Sequence, residues 1–274
     1  MSGTFYVIGT PIGNLEDITL RQLDTLAAVD FICAEDTRVT LKLLNRFDIK
    51  KQLISFHEHS SKADAQRIID RLLAGESCGI VTDAGMPCIS DPGEVLVKLC
   101  AEQGIDIKVV PGPSAVVSAV AVSGLSTRRF TFEGFLPVPK KERAERLEKL
   151  RGETAVMVFY EAPHKLKTTL ADLCGFFGGD RRIALCRELT KIHEEVIRLT
   201  LAEAVEYYNL NEPKGEFVLV LEGASEDAED GITIEQAMEQ VTKLIDMGEK
   251  PTEACKAVAK ETGFRKSELY AKLQ

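Results

Sequence analysis

Hydrophobic positions in the first half of the chain come in short unbroken runs separated by helix-spaced stretches. The runs are Phe5–Gly9, Phe31–Ala34, Leu53–Phe56, Cys78–Val81 and Ile107–Val110, each of strand length. Between them, Leu20–Ala28, Thr40–Phe47, Ala63–Ala74 and Val95–Ala101 have helical spacing, with Ile68, Ile69, Leu72 and Leu73 on one face of the third. Strands alternating with helices predict an α/β layer with a mainly parallel sheet. Strands apolar at every position predict cover on both faces, because a sheet with one wet face alternates.

The pattern restarts after a small-residue helix, Ser114–Val122. Phe130–Phe135 and Ala155–Tyr160 read as strands around a charged helix, Lys140–Leu150, and Leu166–Phe177 is amphipathic. Strands follow at Ile183–Cys186, Val196–Leu199 and Phe217–Leu221, with a helix near Ala202–Tyr208. The hairpin-like spacing predicts more antiparallel pairing here than in the first half. The acidic, turn-prone string Ser225–Gly231 reads as a linker. Beyond it, Ile234–Met247, Thr252–Lys260 and Arg265–Leu273 have helical spacing, with Pro251 in the first turn and Gly263 past the end of the second. The expected division is an α/β domain over residues 1–118, a second α/β domain over 119–224 and a helical appendage over 232–274. The appendage admits two readings, a helix-turn-helix that contacts RNA or a small bundle docked on the main body.

Composition narrows the class. At about 150 residues per domain, 274 residues suggest two domains. A chain 45% hydrophobic and 28% charged is not intrinsically disordered. The longest small apolar stretch, near Ala115–Val122, falls short of the roughly 20 residues that span a bilayer. Met1-Ser2-Gly3-Thr4 has no basic region, so no export signal is expected. Seven cysteines form no C-x-x-C pair and sit mostly in apolar runs, which predicts reduced structural thiols in a cytoplasmic protein. A net charge of −9 argues against a global grip on nucleic acid and leaves room only for local basic faces.

Candidate chemistry gathers at the predicted strand ends, where α/β sheets bind ligands. The first strand runs into Gly9-Thr10-Pro11-Ile12-Gly13-Asn14, which matches neither the dinucleotide fingerprint nor a P-loop. The second ends Glu35-Asp36-Thr37-Arg38. That cluster reads either as a helix cap with a surface ion pair or as a crevice group with a proton acceptor and a phosphate-binding Arg38. The third leads to His57-Glu58-His59, which lacks a third ligand for a metal. The fourth opens into Thr82–Gly93, a loop crowded with turn formers, and the fifth ends Pro111-Gly112-Pro113-Ser114-Ala115. Such turns make a cleft lined by backbone, suited to a polar, adenosine-like ligand, with no cation cluster for a triphosphate.

Several longer strings now carry a resemblance. They are Thr10–Leu15, Ala34–Arg38, Asp83–Gly93, Val110–Ala115, Phe132–Pro137, Tyr160–His164, Cys186–Lys191 and Lys214–Phe217. Together they resemble the tetrapyrrole methylase superfamily along nearly the whole chain, and within it the members that act on small-subunit ribosomal RNA. The resemblance implies two αβα domains with S-adenosylmethionine in the cleft between them, a homodimer and no metal. It implies methylation of the 2′-hydroxyl of a cytidine ribose in the decoding region of 16S rRNA. Cofactor contacts would come from Pro11, Ile12, Ala84, Gly85, Met86, Cys88, Ser114 and Ala115, and from Tyr160, Glu161, Ala162, Cys186 and Glu216 in the second domain.

Transfer to a hydroxyl requires loss of its proton, for which a positioned base typically contributes ~10²–10⁴-fold. Glu35, Asp36 and His59 are the candidates for that base, and Arg38 and Arg187 for contacts to substrate phosphates. Arg128, Arg129, Lys140, Lys141, Arg143, Arg146, Lys149 and Arg151 bunch together as an RNA face, or as a solvated helix paired with Glu133, Glu142, Glu145 and Glu148. A second basic set, Lys256, Lys260, Arg265, Lys266 and Lys272, lies in the appendage. The alternative enzyme is a relative that methylates a small tetrapyrrole or corrin precursor.

Overall fold

The computed structural model describes residues 2–225, 234–262 and 264–273. Met1–Gly223 form one compact unit and Ala224–Gln274 another. The first unit holds two five-stranded sheets.

The first sheet contains β1 (Thr4–Ile8), β2 (Phe31–Ala34), β3 (Gln52–Ser55), β4 (Cys78–Val81) and β5 (Asp106–Val110). Its spatial order is β3-β2-β4-β1-β5 and every pair is parallel. On one face, α1 (Leu20–Ala28) and α2 (Thr37–Arg46) bury Leu26 and Leu44 against Ile8, Ile32 and Val81. On the other, α3 (Lys62–Leu73) and α4 (Glu94–Glu102) bury Ile69, Leu72 and Leu96 against Phe5, Phe31 and Ile80. Each such side chain contributes about 1.5–3 kcal/mol by leaving water. β2 and β4 are buried at every residue, as their unbroken apolar runs require. Thr19 with Gln22 and Ser61 with Asp64 form capping boxes that satisfy the open N–H groups of α1 and α3.

The second sheet contains β6 (Phe130–Phe135), β7 (Val156–Glu161), β8 (Arg182–Arg187), β9 (Glu195–Thr200) and β10 (Phe217–Leu221), in the order β6-β7-β10-β8-β9. Only β6 and β7 run parallel; the other three pairings are antiparallel. One face packs on α5 (Ala115–Val122), with Val116, Ala119 and Val120 against Val158, Ala184 and Val220. The other packs on α6 (Lys140–Lys149), α7 (Pro163–Phe177) and α8 (Leu201–Leu210) through Leu147, Leu166, Leu170 and Leu201.

Two helices start a full three residues earlier than their apolar spacing predicts. α2 begins at Thr37 because the Asp36 side chain caps it, and α7 begins at Pro163, whose ring suits a first turn. A short 3-10 turn, Leu15–Asp17, follows the β1 loop and was not expected.

In the second unit, α9 (Ile234–Asp246), α10 (Pro251–Thr262) and α11 (Lys266–Ala271) surround Ala237, Val241, Ala254, Cys255, Val258 and Leu269. The predicted linker beyond Ser225, the turn glycine Gly263 and the Lys260 side chain lie outside the described residues. All seven cysteines are free thiols. No helix among the described residues is long and apolar enough to cross a membrane.

Candidate active site between the two sheets

β1 and β4 are neighbours in the sheet, so the loops that leave them lie side by side. The backbones of Thr10 and Gly85 exchange two hydrogen bonds, at 2.8 and 3.1 Å, and Gly9 N–H donates to Val110 O at 3.0 Å. Thr10 Oγ1 donates to Thr82 O at 3.1 Å, and the buried Gln22 amide donates to Gly9 O at 2.6 Å. Three loops are thereby tied into one surface. Their approach needs glycine: a Cβ on Gly112 would lie 2.9 Å from Gly9 Cα, and Gly85 holds φ at +87°.

This surface faces the ends of β7, β8 and β10 across a cavity of about 670 Å³. From the first side Ile12, Ala84, Gly85, Met86, Ser114 and Ala115 line it; from the second, Tyr160, Glu161, Ala162, Cys186 and Glu216 do. The two sides also touch at the rim. Gly13 leaves room for Lys191 and Thr190, where an added Cβ would lie 2.5 Å from Lys191 Cγ, and Ser90 Oγ comes against Gly134. Of the five non-glycine residues at positive φ among the described residues, four flank the cavity: Cys88, Ser90, Glu188 and Thr190. Such backbone conformations are costly and cluster at ligand sites.

Other residues singled out from the sequence fall elsewhere. Pro11 is buried in its loop, and Cys88 lies beside Gly93 with its thiol pushed up to about 11 by burial. Neither lines the cavity, nor do Glu35, Asp36, His59, Arg38 or Arg187. Glu35 accepts the Thr82 hydroxyl at 2.6 Å. Asp36 caps α2 and clamps Arg38 at 2.6 Å, and that guanidinium holds the Asp36 carboxyl down at about 2. His59 is exposed beside Glu58 at 3.3 Å. Arg187 is held by Glu195 at 3.1 Å.

Phe217, in the expected Glu216-Phe217 contact segment, lines the cavity too, and residues that the sequence reading did not single out complete the wall: Ile89, Ser90, Asp91, Val117, Phe135, Pro163, Glu188, Leu189, Lys191 and Val218. Asp91 and Glu188 each sit in a string already quoted, but nothing in a turn sequence says which carboxylate faces inward. The wall carries four carboxylates, Asp91, Glu161, Glu188 and Glu216, against one ammonium, Lys191. Lys191 pairs with Glu188 at 2.9 Å and Glu216 at 2.8 Å. Glu161 accepts the Thr169 hydroxyl and the Ala162 N–H. The cavity is therefore apolar over most of its lining, rich in turn backbone and biased towards a ligand with positive charge.

Residues 4–205 match the family model for Tetrapyrrole (Corrin/Porphyrin) Methylases. Ribosomal RNA small subunit methyltransferase I of Halalkalibacterium halodurans is 45% identical over 271 residues, 98% of this chain and 93% of that protein. The protein of the same name from Thermotoga maritima is 49% identical over 221 residues, 81% of this chain and 99% of its own length. The remainder that it leaves unmatched is about the size of the C-terminal unit. Uroporphyrin-III-C-methyltransferase from Thermus thermophilus superposes with a TM-score of 0.56 at 20% identity, over 80% of this chain and 94% of that one, a likeness of fold alone. The chain belongs to the tetrapyrrole methylase family, in the branch whose named members are ribosomal RNA small subunit methyltransferases I.

Proposed function

We propose that this chain methylates small-subunit ribosomal RNA with S-adenosylmethionine as donor, at the 2′-hydroxyl of a cytidine ribose in the decoding region of 16S rRNA. The name shared by relatives 45% and 49% identical to it carries the reading. The finer choice of atom and nucleotide rests on the resemblance of the motif strings.

When bound, S-adenosylmethionine supplies an electrophilic methyl group on a sulfonium sulfur. The cavity suits it in size, at about 670 Å³, inside the roughly 300–1,000 Å³ range of small-molecule sites. The three carboxylates of its second wall, Glu161, Glu188 and Glu216, outnumber the one ammonium of Lys191 and suit a sulfonium and an ammonium. We assign the holding surface to Ile12, Ala84–Met86 and Ser114-Ala115 on one side, with Pro11 and Cys88 in the loops behind it. Tyr160–Ala162, Cys186 and Glu216 supply the other. On this reading residues 1–118 and 119–224 act as two domains that together close the site.

The same wall disfavours a substrate that carries many carboxylates, which weighs against a small tetrapyrrole. RNA is also an anion, but its nucleoside is neutral and its phosphates can stay outside. Arg38 and Arg187 are the cations we assign to those phosphates near the site. Further out, Arg128, Arg129, Lys140 and Lys149 are exposed and, among the described residues, lie in no ion pair. Arg143 and Arg146 are instead held by Asp172 and Glu133, both at 2.5 Å. The helical unit is an accessory RNA contact on this view. A cytoplasmic homodimer follows from the same resemblance.

The test is transfer of labelled methyl from S-adenosylmethionine to unmodified small ribosomal subunits, with naked rRNA and a tetrapyrrole precursor in parallel. Label in 2′-O-methylcytidine after digestion to nucleosides supports the proposal. Label in the tetrapyrrole alone would overturn the substrate and keep the family chemistry.

A further inference from the structure

We propose that the cavity mouth is a nucleoside subsite in which Phe135 stacks the target base and Asp91 accepts the proton of the ribose hydroxyl. The inference deepens the rRNA methylation reading and rests on it.

Asp91 lies between β4 and α4, partly buried and on the cavity wall. The other wall carboxylates have fixed partners: Glu161 in Thr169 and the Ala162 N–H, Glu188 in Lys191 and the Glu216 N–H, Glu216 in Lys191. Among the described residues Asp91 has no cation within ion-pair distance. Its charged neighbours on the first sheet are Glu35 and Asp83, both acidic. Cys88 on its own loop and Tyr160 on β7 also face it. The Thr82 hydroxyl approaches it as well, but its single proton already goes to Glu35 at 2.6 Å. Burial, then Glu35 and Asp83, push the Asp91 carboxyl up to about 6. Such a group is ionised at neutral pH yet binds a proton more tightly than an ordinary carboxylate, which suits a general base. Asp36, clamped by Arg38 and held at about 2, is the opposite case.

Phe135 stands across from this group. The strand pairing of β6 with β7 shifts between Phe132 and Gly134, so Glu133 is an extra residue. The bulge turns Phe135 to the same side as Phe132, and both rings pack on Tyr160, at 5.6 and 5.0 Å between centroids. Phe135 is nonetheless 59% exposed while lining the cavity. A ring fixed from behind and open in front is a stacking platform for an unpaired base, the element that proteins read in RNA. The ribose of a base stacked there reaches the cavity with its phosphates outside.

In the transfer the O2′ proton moves to an Asp91 carboxylate oxygen while O2′ bonds to the methyl carbon. The carbon–sulfur bond breaks with its electron pair going to sulfur. A carboxylate and a sulfonium become a carboxylic acid and a neutral thioether, and Asp91 then returns the proton to water.

The test compares Asp91→Asn and Phe135→Ala with wild type in single-turnover methyl transfer to small subunits from pH 5 to 9, with S-adenosylmethionine affinity measured by calorimetry. Asp91→Asn should slow transfer by ~10²–10⁴-fold, leave donor affinity within twofold and abolish the fall in rate below about pH 6. Phe135→Ala should raise the KM for subunits about 5- to 150-fold, and Phe135→Tyr should restore it. Turnover of Asp91→Asn within threefold of wild type with the acid limb intact would overturn the assignment of the base. Loss of donor binding in Asp91→Asn would also overturn it, making the residue a cofactor contact. An unchanged KM in Phe135→Ala would overturn the stacking platform. Wild type that transfers no methyl to rRNA would bring down the functional reading itself, a result seen without either variant.

Discussion

The two walls of the cavity are built on different principles. The wall from the first sheet is a set of turns whose backbones hydrogen-bond to one another, Thr10 with Gly85 and Gly9 with Val110. It holds one carboxylate, Asp91, pushed up to about 6 by burial and by its acidic neighbours. The wall from the second sheet is made of side chains. There the Glu188 carboxyl is held below its ordinary value, chiefly by the Glu216 N–H and then by Lys191. One wall is a shape that tolerates no added atoms, and it stores an unfavourable charge. The other is an ion-paired scaffold. A site that must cradle a ligand and also move a proton needs both, and the fold supplies them from separate sheets.

The first wall should break most easily by added bulk. Gly112→Val places branched carbons against the Gly9 backbone, which has no flexible end to give way. Overpacking of backbone on backbone should cost about 3 kcal/mol, the upper part of the usual range. The urea midpoint should fall, and S-adenosylmethionine affinity should drop more than tenfold. An unchanged midpoint would mean that the three loops are not one rigid surface.

Charge should separate the walls by sign. Asp91 holds its proton more tightly in the native state than its ordinary 3.8, so native stability declines as pH rises from about 4 to about 6. Asp91→Asn removes that penalty and should stabilise the fold by about 1–3 kcal/mol above pH 6, with no gain at pH 3.5. Glu188 has the opposite linkage. Its lowered pKa stabilises the fold above 4.5, and the contribution vanishes as pH falls through the native value. Glu188→Gln should therefore cost about 1 kcal/mol at pH 7, with the difference from wild type closing in acid. Parallel denaturation curves at pH 3.5 and 7 check both. The same sign for the two variants would erase the distinction between the walls.

Much of this frame was legible in the sequence. Strands such as Phe31–Ala34 and Cys78–Val81 are buried on both faces, so their unbroken apolar runs had one reading. The turn-rich loops Ala84–Met86 and Ser114-Ala115 announced a backbone-lined wall, and they line the cavity. Phe135 was hidden for a geometric reason. Alternation would put residues 132 and 135 on opposite faces, and only the extra residue at Glu133 brings them together against Tyr160. Asp91 was hidden because a loop has no period from which to read direction. The Glu35–Arg38 string was read as both cap and crevice. The structure shows the cap, with Asp36 closing the first turn of α2.

That cap gives the smallest expected effect, and one that sharpens the boundary of the first wall. Arg38 is 87% exposed on its side chain, and its pair with Asp36 is held in water, where such pairs contribute little. Asp36 still accepts the Arg38 N–H at 2.8 Å whatever side chain follows, so the cap survives substitution. Arg38→Gln should lower the denaturation midpoint only slightly, while the Asp36 carboxyl rises from about 2 as the guanidinium is lost. An NMR titration of that carboxyl reads the rise directly. If Arg38 also meets a substrate phosphate, the variant should raise the KM for small subunits, and more steeply at low salt, with kcat preserved. If KM stays fixed at every salt concentration, the working surface ends at the cavity rim and the Asp36–Arg38 pair is only the end of a helix.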